Sequence, residues 1–382
     1  MLLILENVHC NNILSLALFA SISTAASHQR QGASAKQQPN DGSCAQQPKP
    51  NAATPVALPT GENGTLSQGT VTKTGGAGSN SIDGSTGAKA VPDALVVQLT
   101  LSQHVFAVNA GSNILTMLSI SHQDPTSLTP LGKPAAMPGE FPNTVSALAK
   151  NKLVCVDTTE ALAGISCAPF SAQGLGQFDC LRAFDLKQTA PPVGPNNTVS
   201  QTLFCAQSNK SPSSLSAKET RSSPPEIAVL FGSFVMPNDP TSLFVTDASF
   251  GAAILSLDKS NAATVKQAQL LAGQEATCWA AISPLTYSAF VTNVAMNRVL
   301  KMSIDYASIL GQLDLSANGN AGRIDLKAAG DFVYALSPGT GTGKAAVTLL
   351  DISEGKGTMK EVQHFGLGGV AGGNAQGMAV KL

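Results

Sequence analysis

The chain has 382 residues, 43% of them apolar but only 5% aromatic, so a large core has to be built from Val, Leu, Ile and Ala, as packed sheets are. Formal net charge is −1 and charged residues make up 12%, which leaves no basic patch for counterion release and argues against nucleic acid as a partner. Beyond the N-terminus no run approaches the ~20 apolar residues of a membrane-spanning helix.

In chain order, residues 1–26 read first as an export signal. Residues 13–22 (ILSLALFASI) form a short apolar core, and Thr24, Ala25 and Ala26 supply the small side chains that favour cleavage after Ala26. The preceding stretch has no Lys or Arg and contains Glu6, a departure from the usual basic start. A buried apolar strand or helix is the other reading of the same run. Residues 27–60 are dense in Gln, Ser, Pro and Asn and are expected to be a disordered linker. Residues 61–382 carry the folded domain.

Three sequons, at Asn63, Asn196 and Asn209, fit a secreted, extracellular or cell-wall glycoprotein. Without the leader, Cys44, Cys155, Cys167, Cys180, Cys205 and Cys278 remain, an even number that permits disulfides. Cys155 and Cys167 lie on two apolar runs joined by a short loop; the spacing allows a cross-strand bridge or two buried free thiols.

The segments QHVFAVNAGSN, NKLVCVDTTE, TSLFVTDASFG, YSAFVTNVAMN and GDFVYALSPGT share a β-rich run followed by a polar turn. Their register residues, Phe106, Val154, Phe244, Phe290 and Tyr334, are spaced by 48, 90, 46 and 44, which places one degenerate copy near Leu203 and Phe204. A second apolar run follows each copy and another precedes it. That makes four strands per ~45 residues, the size of a propeller blade. The count predicts an all-β, seven-bladed β-propeller. Residues 205–225 contain no strand pattern and are expected to be poorly ordered. The last run, QGMAVKL, has the form of an inner strand and is expected to close the ring against residues 55–75.

The strings GEFPNTVS, TAPPVGPNNTVSQ, AVLFGSFVMP, LFVTDASFGAAILSL, ATCWAAISP and AFVTNVAMN closely resemble the secreted fungal 3-carboxymuconate cyclase-like proteins. The resemblance covers most of residues 61–200 and 221–382. It implies a seven-bladed propeller of the lactonase-like group, and it implies secretion or cell-wall residence. Set against that family's pattern, blades one and four are expected to be truncated: the first retains only the outer-strand remnant GTLSQGTVTKTGG, and the fourth loses two strands in SNKSPSSLSAKETRSSPP.

In that group chemistry takes place at the mouth of the central channel, where segments leading into the inner strands present polar side chains. The matching segments here offer Glu140, Glu275 and Arg323, with Asp93, Asn143 and Gln376. A carboxylate and a guanidinium suit a carboxylated substrate and proton movement. The same groups are equally suited to capping strand ends. The lactonising relatives use a His with Glu and Arg partners, and no His here falls on such a segment, nor do any two stand at metal spacing. Neither a cofactor nor a metal is expected. A Gly339–Lys344 run lacks the first Gly and the final Ser or Thr of a phosphate loop, and Ser166 lacks the flanking Gly and helix of a nucleophile elbow. Two functions remain: a surface protein binding carbohydrate, matrix, a host surface or a small carboxylated molecule, and a muconate-lactonising or lactone-hydrolysing enzyme.

Overall fold

The computed structural model describes residues 17–23, 53–78, 82–83, 95–98, 104–184, 193–194, 201–204, 222–274, 276–320, 322–338, 344–355, 357–368, 370–371 and 375–381. Short runs of β-branched and other apolar residues, separated by Gly, Asn and Asp turns, form strands throughout. In chain order, β1 (Ala17–Ser23), β2 (Ala53–Pro59) and β3 (Thr70–Val71) share a sheet with the C-terminal strand, and β4 (Ile82–Asp83) stands apart. Next come β5 (Leu95–Gln98), β6 (His104–Asn109), β7 (Ile114–Ile120) and β8 (Leu128–Pro130), with β9 (Ala135–Ala136) against β7. A further blade holds β10 (Glu140–Leu148), β11 (Leu153–Thr159), β12 (Gly164–Ser171) and β13 (Gly174–Leu175), with β14 (Arg182–Ala183) against β12. β15 (Val193–Gly194) pairs in parallel with β4.

Three regular four-stranded blades follow. The first comprises β16 (Leu230–Met236), β17 (Asp239–Asp247), β18 (Gly251–Leu257) and β19 (Ala263–Leu270). The second comprises β20 (Ala280–Ser283), β21 (Ser288–Asn293), β22 (Arg298–Ser303) and β23 (Ile309–Asp314). The third comprises β24 (Asp325–Ala329), β25 (Phe332–Ser337), β26 (Ala346–Asp351) and β27 (Lys360–Gly366), after which β28 (Ala375–Lys381) ends the described chain.

Five blades are therefore built from strands consecutive in sequence, and a closing sheet of order β28-β1-β2-β3 joins the two ends. The first strands pack side by side around the ring: β24 against β20 and β28, β28 against β5, β5 against β10. This is a β-propeller. The five register residues are fully buried, each 0% exposed, and they pack between neighbouring blades. One cluster joins Val333, Ala335 and Leu350 to Trp279, Phe290 and Val299; another joins Tyr334, Leu336 and Leu349 to Val56, Leu58 and Met378. Because both faces are covered, β6 and β21 are buried at every position.

Between the β10 and β16 blades lie residues 201–204. Thr202 N–H donates to Thr144 Oγ1 at 2.6 Å on one side, and Gln201 Oε1 accepts from Ser233 N–H at 2.6 Å on the other. Phe204 packs with Leu148 and the two bridged cysteines, whereas Leu203 packs with Val235, Leu243 and Val245. Where the degenerate copy is expected near Phe204, residues 201–204 thus form a wedge between the two blades, and residues 195–200 and 205–221 on either side lie outside the described residues. Most of residues 205–225 lie outside the described residues; Ser222 is anchored, its Oγ donating to Ala263 O at 3.1 Å.

Three expectations are corrected. Blade one is not reduced to an outer remnant, because β1 and β2 stand inside β3 and complete a four-stranded sheet with β28. The linker does not extend to residue 60, since Ala53–Pro59 is a strand with buried Val56, Ala57 and Leu58. Closure also uses a different partner: β28 pairs with β1, Leu18 opposite Val380, and β2 lies one strand further out. The run that reads locally as leader gains a partner from the distant C-terminus, and the run that reads as linker pairs in turn with it and with β3. Seven blades are not all visible, as much of the fourth falls outside the described residues.

Candidate functional site

The segments leading into the inner strands are ordered by a repeated polar device. Three residues after each register position stands a polar side chain: Asn109, Asp157, Asp247, Asn293 and Ser337, all 0% exposed. Asp157 accepts from Thr144 N–H at 2.7 Å and from Thr144 Oγ1 at 3.0 Å, and so holds the bulged start of β10. Asp247 Oδ2 accepts from Ala228 and Val229 N–H at 2.8 and 2.9 Å, and its Oδ1 accepts from Ser249 N–H at 2.8 Å. Asn109 donates to Ala107 O and to Thr116 Oγ1, both at 3.1 Å, and accepts from Thr74 Oγ1 at 2.5 Å. Buried backbone N–H groups at strand starts need such partners, because leaving one unpaired costs ~1–3 kcal/mol.

The device also crosses from blade to blade. Thr246 Oγ1 accepts from Gly232 N–H at 2.8 Å and donates to Cys278 O on the next blade's leading segment. Asp325, 1% exposed, accepts from Met378 N–H at 2.5 Å and pairs with Lys327 Nζ at 3.1 Å, tying β24 to β28. Lys327 Nζ in turn lies 5.8 Å from the ring of Trp279, the chain's one tryptophan. These carboxylates escaped the sequence reading, although their constant offset from the register residues was a usable signal.

Of the residues expected at the channel mouth, Arg323, Glu140 and Asn143 are described with their side chains. Arg323 is 0% exposed and donates from Nη2 to Thr348 Oγ1 on β26 at 2.7 Å, so its guanidinium reaches the third strand of its own blade. Thr348 Oγ1 is also 3.4 Å from His364 Nδ1 on β27. Burial brings the Arg323 guanidinium down to about 10, with the charge of Glu361 acting the other way. Burial first, and then Arg323, hold the His364 imidazole below its ordinary value, again opposed by Glu361. Arg323, His364 and Glu361 therefore form one electrostatic group on the outer half of a blade.

Glu140 begins β10 opposite Thr159 and belongs to a different neighbourhood. Its charge adds to burial, the larger cause, in raising the carboxyl of Glu160 above the usual range. Glu275, Asp93 and the side chain of Gln376 lie outside the described residues, and Asn143 is 2% exposed. Ser166 sits within β12, fully buried, where no substrate reaches it. Among the described residues no three His, Cys, Asp or Glu side chains gather into a metal-holding group, and no helix is long and apolar enough to cross a membrane.

The register of β11 and β12 sets Cys155 opposite Cys167, and the pair is bridged with Cα atoms 4.1 Å apart. Cys180 is exposed and free. Asn63 is exposed in a turn where its Oδ1 accepts from Thr65 N–H and Oγ1 at 3.2 and 2.7 Å. Asn196 and Asn209 lie outside the described residues.

No family model and no curated protein sequence matches the chain. Among solved structures, a chain of a nidogen–laminin complex aligns with a TM-score of 0.50 at 11% identity, covering 96% of this chain and 98% of that one. A periplasmic gluconolactonase of Pseudomonas aeruginosa gives 0.45 at 12% identity over 93% and 84%. A putative 6-phosphogluconolactonase from Bacteroides uniformis gives 0.41 at 13% over 92% and 82%. At such identities the likeness concerns the fold alone.

Proposed function

We propose that the chain is a lactonase-like propeller with seven ring positions that acts as a secreted or cell-wall binding protein, with a degenerate active site. Its partner is an extracellular carbohydrate, matrix or host surface, or a small carboxylated molecule held without turnover. The observation that carries this reading is the fate of Arg323, whose buried guanidinium donates to Thr348 within its own blade. The carboxylates of Asp157, Asp247 and Asp325 are likewise engaged with backbone N–H groups, so reactivity there would break the stitching of the blades. The wedge at residues 201–204 supports the seventh position, since it separates two blades and contacts both. The Cys155–Cys167 bridge and the exposed Asn63 sequon support an oxidising, glycosylating route.

The enzymatic alternative keeps one observation in its favour: Arg323, His364 and Glu361, the residue types of a lactonising site, do gather around Thr348. Turnover of 3-carboxymuconate and of simple lactones by the native chain separates the two readings. The binding reading expects background rates in the native chain and in an Arg323→Ala, Glu140→Ala variant. Turnover above background that vanishes in this variant or in His364→Gln establishes the enzyme.

A further inference from the structure

The closing sheet differs from every blade in how its second strand is held. Inside a blade, each of the four main strands is tied to its neighbour by a short connection, and the connection fixes the register. β1 has no such tie on either side, because residues 24–52 separate it from β2 and the whole chain separates it from β28. Its place is set by antiparallel pairing alone, from Ala17 opposite Pro59 to Ser23 opposite Ala53 on one side, and from Ala17 opposite Lys381 to Ile22 opposite Ala375 on the other.

The outer wall of this slot is built to receive a strand. Pro55 and Pro59 would each deprive a ladder of a donor. Their carbonyls accept from Thr72 and Ser67 N–H, which shows that these positions face the β3 side. Along an extended strand successive backbone groups alternate in direction, so Thr54, Val56 and Leu58 turn their N–H and C=O groups toward β1. The missing donors thus fall on the side away from the slot. The inner wall is β28, with Ala375, Met378 and Ala379 buried. Without β1, two strand edges would face each other across ~10 Å, the width left when one strand is removed from a sheet of ~4.8 Å spacing.

We propose that β28 and β2 form a strand-acceptor site, and that its ligand is an extended, uncharged apolar heptapeptide, here Ala17–Ser23, held by main-chain pairing with no covalent link required. This does not depend on the binding or enzymatic reading of the propeller. It gives the N-terminal apolar run a role in ring closure, and a cut after Ala26 severs its tether without touching a single paired residue.

The test uses the full chain with a specific protease recognition sequence inserted after Ala26. After cutting, the fragment ending at Ala26 is expected to co-elute with the ring in equal amounts and to leave in denaturant, and the melting temperature is expected to stay within a few degrees of the uncut protein. A labelled synthetic peptide of residues 13–26 in excess should exchange into the ring, whereas the same peptide carrying Ala20→Pro should not. Release of the fragment with an unchanged melting temperature overturns the proposal. So does a ring that loses stability on release and is not restored by excess peptide.

Discussion

The three blades between residues 230 and 366 are each cut from one uninterrupted stretch, whereas the closing sheet collects strands from both ends of the chain and residues 201–204 bridge the blades on either side of them. The contiguous blades satisfy their ladders locally through hairpins. The closing sheet obtains the same inter-blade burial through contacts of very long sequence separation: Tyr334 Oη donates to Gly64 O at 2.9 Å, and Gln363 exchanges bonds of 2.6 and 2.9 Å with the backbone of Leu66. A propeller is thus only as closed as its junctions. A blade tolerates local damage, while loss of a junction exposes edges all round the ring.

The largest expected effect follows from that difference. Removing residues 376–382 takes away the innermost strand of the closing sheet and the Met378 N–H that Asp325 holds. Cooperative thermal unfolding should be lost and self-association should appear in light scattering. A truncated chain that melts as sharply as the full one would mean the ring does not depend on closure.

Next comes a matched pair of cavities. Phe290 is fully enclosed between two complete blades, and Phe290→Ala should cost ~3–5 kcal/mol in urea unfolding. Phe204 is nearly as buried, but its cluster is smaller, Leu148, Cys155 and Cys167 with the partly buried Leu153 and Ile165, so Phe204→Ala should cost about 3 kcal/mol or less. Equal costs would show that the wedge is packed as tightly as a blade. Below these stands the bridge between Cys155 and Cys167, which closes a loop of sequence separation 12 and should contribute ~2–3 kcal/mol, measured as the difference in melting between the native chain and a double Cys→Ala variant.

The same contrast explains what could be read in advance. Blade period, strand order and the buried register residues were legible because Phe106, Val154, Phe244, Phe290 and Tyr334 repeat at a nearly constant spacing within local hairpins. The closing sheet was not, since nothing in ALFASIS announces a partner at the far end of the chain, and ATPVALP pairs with that same run across residues 24–52. At the candidate site, position along the chain identified Arg323 and Glu140 as residues leading into inner strands. It could not reveal which way each side chain turns. A hydroxyl acceptor on β26 holds Arg323 at Thr348 against the cost of burying its charge. The buried carboxylates Asp157 and Asp247 went unnoticed because a single Asp near a strand end is ordinary; only the recurrence of a polar residue, Asn, Asp or Ser, three residues past each register residue is informative.

The smallest expected effect is on acid stability, and it separates a buried imidazole from an exposed one. His104 on β6 is 5% exposed, its ring meets that of Phe170 edge-on at 6.0 Å, and its Nδ1 has no hydrogen-bond partner among the described residues. Burial holds its pKa below the ordinary value of 6.5. His364 is shifted in the same direction but lies on an outer strand, open to solvent, which screens its interactions. For both, the unfolded chain takes up its proton first as pH falls. The stability each contributes is therefore complete above about 6.5 and is lost as pH drops through the folded value. Melting temperature should decline between pH 7.5 and 5. Replacing His104 with Phe should flatten that decline more than His364→Gln does, because only His104 has to shed its proton to remain within a packed interface between blades. If the two variants flatten the profile equally, burial between blades is not what sets the acid limit of this ring.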